Sequence, residues 1–160
     1  MNLKLDNTAT LSLPSDLEIA IVRDFSAPRA LVFDAWTKAE HVRRWYGMCH
    51  FTFTQCEVDC RVGGTYRFVF HEAERATDHV LSGEFREVER PSRVVFTERY
   101  ELFPGSEHVI TLTFEERGGG TRFEQRMTYP SKQVRDGHLA SGFESALFES
   151  LNALERFLSA

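Results

Sequence analysis

The sequence lacks any hydrophobic run long enough to cross a lipid bilayer, which takes about 20 consecutive apolar residues. Residues 1–16 contain one lysine, no long apolar segment and no small-residue cleavage site, so they do not resemble a secretory signal. We interpret them as a polar N-terminal leader in which Leu11 and Leu13 offer at most a weak strand. These absences predict a cytoplasmic protein without a membrane span.

An excess of basic residues is also lacking. The 19 Lys and Arg residues are outnumbered by 24 Asp and Glu residues, giving a formal net charge of -5. Surfaces that bind nucleic acid are typically basic, so nucleic acid is not expected as a partner.

Cysteine is scarce, and the odd count without a signal peptide predicts reduced thiols. The three cysteines are Cys49, Cys56 and Cys60. In an extended strand Cys56 and Cys60 would lie roughly 13 Å apart, too far for a disulfide.

Motifs for metals, cofactors and nucleophilic catalysis are missing as well. The six histidines form no His-x-His or His-Glu-x-x-His pattern, and the sequence contains no Cys-x-x-Cys. There is no phosphate-binding glycine loop, dinucleotide fingerprint or Gly-x-Ser-x-Gly elbow. His71 and His79 flank a turn and are better explained as exposed hairpin residues than as zinc ligands. We therefore predict no metal site and no cofactor.

What the chain does have is a globular composition rich in phenylalanine. Hydrophobic residues make up 42% of its 160 residues, and 14 of them are Phe. This length suits one domain, predicted here over residues 17–160. So much phenylalanine indicates either a large core or an apolar cavity.

Hydrophobic periodicity predicts the order strand, two short helices, six strands, long helix. The first strand is Leu17–Ser26, and the short helices are Pro28–Thr37 and Ala39–Trp45. Short connections indicate an antiparallel meander. The predicted meander strands are Phe51–Cys60, Thr65–His71, His79–Glu87, Arg93–Glu101, His108–Glu116 and Thr121–Tyr129.

The C-terminal segment carries one apolar stripe at helical spacing, with Ser131 as a candidate N-cap. Gly137 and Gly142 lie near its start and indicate a kink or a close contact. An antiparallel sheet needs one face covered, and this helix is the longest element available. The prediction is an α+β fold with a curved antiparallel sheet of six to seven strands around a long C-terminal helix. The stripe consists of Leu139, Phe143, Leu147, Leu151, Leu154 and Leu158.

Several segments together resemble one family. They are RDFSAPRALVFDAWT (23–37), WYG (45–47), DCRVGG (59–64), SGEFREV (82–88), PSRVVFT (91–97), GGTRF (119–123) and RDGHLASGFE (135–144). In order and spacing they resemble the START-like (SRPBCC) superfamily, in the bacterial branch related to the C-terminal domain of the activator of the heat-shock protein 90 ATPase. The resemblance covers about residues 17–158. It implies a helix-grip fold with a hydrophobic cavity. Tyr46 stands where this branch often has a second Trp.

Strand alternation selects the residues expected to face such a cavity. Glu98 and Gln125 then fall among apolar neighbours and need hydrogen-bond partners, either from a ligand or from the protein. If no ligand binds Glu98, its partner could be Arg67, Arg126 or a water at the mouth of the cavity. Trp45 and Phe143 are expected at the rim and floor. The predicted ligand-binding residues are Trp45, Tyr66, Phe68, Phe85, Phe96, Glu98, Tyr100, Gln125, Phe143 and Leu147.

Three functions stay open at this point. The first is binding of a small hydrophobic or aromatic molecule between the sheet and the C-terminal helix, without catalysis. The second is a polyketide cyclase-like or hydrolase-like enzyme with Glu98 as the base and Tyr66 or Tyr100 as donors. The third is a co-chaperone-like interaction module with a chaperone as partner. The sequence leaves homodimer formation undecided.

Overall fold

Eight strands and four helices make up the computed structural model, which describes residues 7–47 and 50–160. The strands are β1 (Thr10–Ser12), β2 (Glu18–Phe25), β3 (Thr52–Val58), β4 (Thr65–Glu72), β5 (Thr77–Glu89), β6 (Arg93–Tyr100), β7 (His108–Arg117) and β8 (Gly120–Thr128). The helices are α1 (Arg29–Thr37), α2 (Ala39–Trp45), α3 (Lys132–Ala140) and α4 (Phe143–Leu158).

All eight strands form one antiparallel sheet in the order β1-β2-β8-β7-β6-β5-β4-β3. Strands β3 to β8 follow one another as neighbours, which confirms the predicted meander. With the C-terminal helix, this curved sheet has the helix-grip arrangement. The sheet has one strand more than the upper expectation, because Thr10–Ser12 pairs with Ala20–Val22.

The described part of the expected leader is thus joined to the sheet. Asn7 adds a hydrogen bond from its side chain to Ser26 Oγ at 3.3 Å. Residues 1–6 of that leader, and Cys49 among the predicted thiols, lie outside the described residues. Cys56 is buried and Cys60 is partly buried, and both are free thiols.

Strand β5 bends where it passes β6. The register shifts between Phe85 and Glu87, which marks a bulge. Two residues earlier, a Cβ on Gly83 would lie 1.7 Å from the Thr97 carbonyl oxygen and 2.8 Å from Tyr66 Cε1. Only glycine allows the backbones to approach this closely. The result is that Tyr66 fits against β6, where its hydroxyl donates to the Thr97 carbonyl oxygen at 2.9 Å.

The two short helices pack together through tryptophan. Trp45, at the end of α2, donates from Nε1 to the Ala35 carbonyl oxygen of α1 at 3.0 Å. The Trp36 and Trp45 rings meet edge to face at 4.7 Å. On its other side, Trp36 stacks on Phe123 of β8 at 5.0 Å. These contacts place α1 and α2 directly against the sheet.

The predicted long helix is divided into α3 and α4. Ser131 caps α3 by accepting a hydrogen bond from the Val134 backbone N–H at 3.2 Å. Gly142 then adopts φ 76°, a left-handed conformation that glycine takes without steric cost and that ends the helical path. The break falls at Gly142, one of the two glycines that predicted a kink or a close contact, and α4 is the long C-terminal helix of the predicted fold.

Helix α4 buries Leu147, Leu151 and Leu154 and packs against α1 and α2. Polar contacts join its C-terminal half to strand β2 and to the residue after that strand: Arg23 donates to Asn152 Oδ1, and Glu155 accepts from Ser26 Oγ at 3.0 Å. In the ranges that the structure describes, no helix is both long and apolar enough to cross a membrane.

Candidate ligand-binding cavity

A cavity of about 40 Å³ lies between the sheet and helices α1 and α2. None of its lining residues belongs to α3 or α4. This corrects the expectation that the cavity lies between the sheet and the C-terminal helix. The short helices occupy that position because their tryptophans bring them against β8, and α4 packs behind them. The lining consists of Trp36, Thr37, Val42, Tyr46, Val58, Tyr66, Phe68, Phe85, Val94, Phe96, Glu98, Ile110, Leu112 and Gln125.

Most of the lining is apolar, and eight of its fourteen residues were not expected from the sequence. Six of the ten predicted ligand-binding residues line this cavity: Tyr66, Phe68, Phe85, Phe96, Glu98 and Gln125. All six lie on strands, where alternation assigns each side chain to a face. Trp36 and Tyr46 are among the missed residues, although Trp36 lies on the apolar stripe of a predicted helix.

The other four predicted residues lie elsewhere. Trp45 is core, since its ring is buried and its N–H bonded to α1. Tyr100 lies at the end of β6, where its hydroxyl contacts His79 Nδ1. Phe143 stacks on His138 with ring centres 4.0 Å apart, and Leu147 is buried on α4. Their positions therefore give no reason to expect these four residues to contact a ligand.

Glu98 carries the only charge among the described residues that line the cavity. Its Oε2 lies 3.3 Å from His108 Nε2, in the geometry of an ion pair rather than of an aligned hydrogen bond. Its Oε1 accepts from the Tyr66 hydroxyl at 3.4 Å. Neither expected arginine reaches it. Arg67 donates to Gln55 at 2.9 Å, and Arg126 pairs with Glu18 and Glu124 on the far side of the sheet.

Burial and the Glu98 charge together shift the pKa values of the neighbouring side chains. Burial first, and Glu98 second, raise the pKa of the Tyr46 and Tyr66 hydroxyls well above the usual value, so both stay protonated donors. Burial acts to lower the pKa of His108, but the contacts with Glu98 and with the Ser106 carbonyl oxygen outweigh it, and the pKa of His108 is raised. This wall therefore presents hydrogen-bond donors next to one carboxylate.

The polar wall continues away from the cavity. The His108 ring stacks on Tyr129 with centres 4.8 Å apart, and the Tyr129 hydroxyl contacts His138 Nδ1. Burial and the neighbouring His108 lower the pKa of His138 to about 4. His138 is consequently neutral at physiological pH, and its contact with Tyr129 joins two neutral groups. This connects the Glu98 side of the cavity to the junction of α3 and α4.

Tyr46 fills much of the space between the helices and the sheet. Its ring lies 5.5 Å from both Trp45 and Phe68 and 6.1 Å from Phe70, measured between ring centres. Its hydroxyl makes no hydrogen bond to the described residues. Tyr46 follows the last residue of α2, and aromatic rings surround its side chain.

Two buried polar atoms of the lining lack a hydrogen-bond partner among residues 7–47 and 50–160. They are the indole Nε1 of Trp36 and the amide Oε1 of Gln125. The other end of the Gln125 amide points to Met127 Sδ at 3.6 Å. Unpaired buried polar atoms are uncommon in native proteins because each costs about 1–3 kcal/mol. One unpaired donor and one unpaired acceptor in the lining therefore indicate a ligand with polar groups that can pair with them.

A second and more open concavity of about 460 Å³ lies on the opposite face of strands β4 to β6. Its lining contains Arg67, Arg86 and Arg99 as well as Glu57, Glu84 and Glu107, so the charges balance. A wet, mixed-charge surface does not suit an apolar ligand. Nor do three or more His, Cys, Asp or Glu side chains cluster as metal ligands anywhere in the described ranges.

The family model described as activator of Hsp90 ATPase homolog 1-like protein matches residues 26–159. The chain belongs to this family. No curated protein matches the sequence. The family's description names its relation to the chaperone activator, and chaperone binding by this chain stays the third of the alternatives that the sequence left open.

Solved structures of several bacterial proteins share the fold of this chain. A Rhodobacter sphaeroides protein is similar with a TM-score of 0.87 and 23% identity, covering 94% of this chain and 97% of that one. A Mycobacterium smegmatis protein has a TM-score of 0.83 and 21% identity, covering 95% of this chain and 98% of that one. CalU16 from Micromonospora echinospora has a TM-score of 0.62 and 23% identity, with 98% and 87% covered. At these identities the likeness shows the fold alone.

Proposed function

We propose that this protein binds a small, mainly apolar molecule in the cavity between the sheet and helices α1 and α2. The observation that carries the proposal is an apolar cavity with a few polar groups grouped on its wall, which is the usual composition of a small-molecule site. Tyr66, Phe68, Phe85, Phe96, Glu98 and Gln125 are the predicted contacts that lie in its lining.

The cavity must enlarge to admit such a molecule. Its volume of about 40 Å³ has room for water but not for an aromatic ring; a cavity known to bind benzene measures about 150 Å³. Tyr46 is the side chain whose displacement opens this space, because no hydrogen bond to the described residues holds it. In this proposal the ligand ring takes over the contacts that the Tyr46 ring makes with Phe68 and Phe70.

Titration calorimetry with 2-methylnaphthalene tests the proposal. We expect saturable one-to-one binding to the wild-type protein. Replacing Tyr46 with alanine removes the side chain that competes with the ligand, so Tyr46→Ala should bind about tenfold more tightly.

A cavity-filling variant supplies the matched test of location. Val58→Phe adds a ring inside the lining and should weaken binding by about tenfold or more, because the added ring occupies the ligand's space. Val62→Phe makes the same change at a side chain that is 67% exposed and should leave the affinity unchanged. Equal affinities of the Val58 and Val62 variants, or no binding by any variant, would refute the proposal.

Acid–base catalysis is a second candidate, and one observation favours it. Glu98 combines a place in an apolar lining with a tyrosine hydroxyl at 3.4 Å and a histidine at 3.3 Å. A carboxylate in this setting can accept a proton from water that attacks an ester. Hydrolysis of 2-naphthyl acetate that Glu98→Gln abolishes would support this function. A rate equal to that of the uncatalysed reaction would exclude it for this ester.

A further inference from the structure

The unpaired atoms of the lining narrow the chemistry of the ligand. Trp36 Nε1 is a donor and Gln125 Oε1 is an acceptor. Both are buried without a hydrogen-bond partner in the described ranges, and both belong to residues that line the cavity. Gln125 is only 7% exposed, so bulk solvent does not reach its amide. A pure hydrocarbon would leave both atoms unpaired, and each would keep its desolvation penalty.

One end of the Gln125 amide already has a partner. Its Nε2 donates to Met127 Sδ, a weak acceptor, at 3.6 Å, so Oε1 is the end that is buried without a partner among the described residues. The ligand therefore needs a donor for Gln125. A hydroxyl group meets both demands of the wall, since it donates one hydrogen and accepts through its lone pairs.

The charge of the lining disfavours a ligand that carries a carboxylate. No lysine or arginine is among the described residues that line the cavity, and the charge that is present is the carboxylate of Glu98. A ligand carboxylate would be buried without a cation and close to a charge of the same sign, which is strongly unfavourable. Fatty acids and aromatic acids are thereby disfavoured relative to alcohols and phenols of the same size.

We infer that the ligand is a neutral, ring-containing apolar molecule with a hydroxyl group that donates to Gln125 Oε1, rather than a hydrocarbon or a carboxylic acid. This inference rests on the proposed binding function and specifies the ligand of the same cavity. Trp36 Nε1 supplies a donor to an oxygen of the ligand. Tyr46, as the displaced side chain, carries a hydroxyl on a ring and so resembles the ligand that replaces it.

Three naphthalenes with different 2-substituents test the inference by titration calorimetry at pH 7.5. They are 2-naphthol and 2-methylnaphthalene, whose hydroxyl and methyl groups are of similar size, and 2-naphthoic acid, whose carboxylate is larger and charged. We expect 2-naphthol to bind about tenfold more tightly than 2-methylnaphthalene, although the methyl compound is the more hydrophobic of the two. We expect 2-naphthoic acid to bind at least about tenfold more weakly than 2-naphthol.

Substitutions of Gln125 and Trp36 test whether these two residues cause the preference for 2-naphthol over 2-methylnaphthalene. Gln125→Met keeps an unbranched side chain of similar length without the acceptor, and it should bring the ratio of the naphthol and methylnaphthalene affinities to about one or below. Gln133→Met makes the same substitution at an exposed position of α3 and should keep the wild-type ratio. Trp36→Phe removes the other unpaired atom and should weaken binding of 2-naphthol more than binding of 2-methylnaphthalene.

The outcomes separate this inference from the function on which it rests. Equal binding of 2-naphthol and 2-methylnaphthalene to the wild-type protein, or an unchanged preference in Gln125→Met, overturns the inference alone. Tighter binding of 2-naphthoic acid than of 2-naphthol also overturns it. Failure of both neutral probes to bind overturns the proposed function and the inference together.

Discussion

Glu98 and His108 face each other across strands β6 and β7, with Glu98 Oε2 3.3 Å from His108 Nε2. Both side chains are largely buried, at 14% and 5% exposure. Each partner reduces the cost of burying the other, because an isolated charge in this setting would be strongly unfavourable. The pair thus allows a carboxylate to stand in an apolar cavity wall.

Replacing Glu98 with glutamine should lower the pKa of His108. Burial then acts without the opposing carboxylate, so the raised pKa of the wild type is lost. A group with a raised folded-state pKa stabilises the protein below its unfolded value and loses this contribution as pH rises through the folded value. Glu98→Gln should therefore destabilise the protein more at pH 6 than at pH 9. Proton NMR titration of His108 and urea unfolding measure both effects, and an unchanged His108 titration would contradict the assignment.

Acidification should destabilise the protein through His138. Its pKa is lowered to about 4 by burial and by His108, so the folded state stays neutral while the unfolded chain takes up a proton below about pH 6.5. The unfolded state then binds more protons, and stability falls as pH drops from 6.5 to 4. We expect a loss of about 1–3 kcal/mol over this window.

His138→Gln provides the check on that pH dependence. The amide oxygen can accept from the Tyr129 hydroxyl but does not titrate, so the free energy of unfolding should vary less between pH 6.5 and 4 than in the wild type. Urea denaturation at several pH values measures this. A variant with the wild-type slope would assign the acid sensitivity to other groups.

Gly83→Ala should destabilise the fold by about 2–4 kcal/mol. The new methyl group would lie 1.7 Å from the Thr97 carbonyl oxygen, and backbone must move to relieve the clash. Gly137→Ala is the matched control, since a Cβ there meets nothing within 4 Å and alanine favours helix α3 by about 1 kcal/mol. Opposite signs in thermal unfolding are expected for the two variants. A neutral Gly83→Ala would contradict the close approach of β5 and β6.

The sheet could be predicted from sequence because strand alternation and turn residues are local signals. Helix α2 was predicted with its observed bounds, Ala39–Trp45, and β4 to β8 within a few residues. The same alternation placed Tyr66, Phe68 and Glu98 on the inner face. Family motifs agreed with this order, and the family model then confirmed the resemblance.

The position of the cavity could not be predicted, because it depends on packing between elements. The apolar stripe of the last helix has the same periodicity whether it covers a sheet or other helices. Here α4 packs on α1 and α2, so Phe143 and Leu147 lie away from the cavity, whereas Trp36 and Tyr46 line it. The partners of Glu98 are equally non-local, since His108 reaches it only through the β6–β7 register.

Binding in the cavity is tested most directly by methyl NMR during titration with 2-naphthol. If 2-naphthol binds in the cavity, we expect saturable shifts of the buried Val94, Ile110 and Leu112 methyl signals, all from the lining. The methyls of Leu102, which is 46% exposed in the β6–β7 turn, should not shift. Shifts confined to Leu102 and other exposed residues, or no saturable shift at any lining methyl, would contradict ligand binding in the cavity.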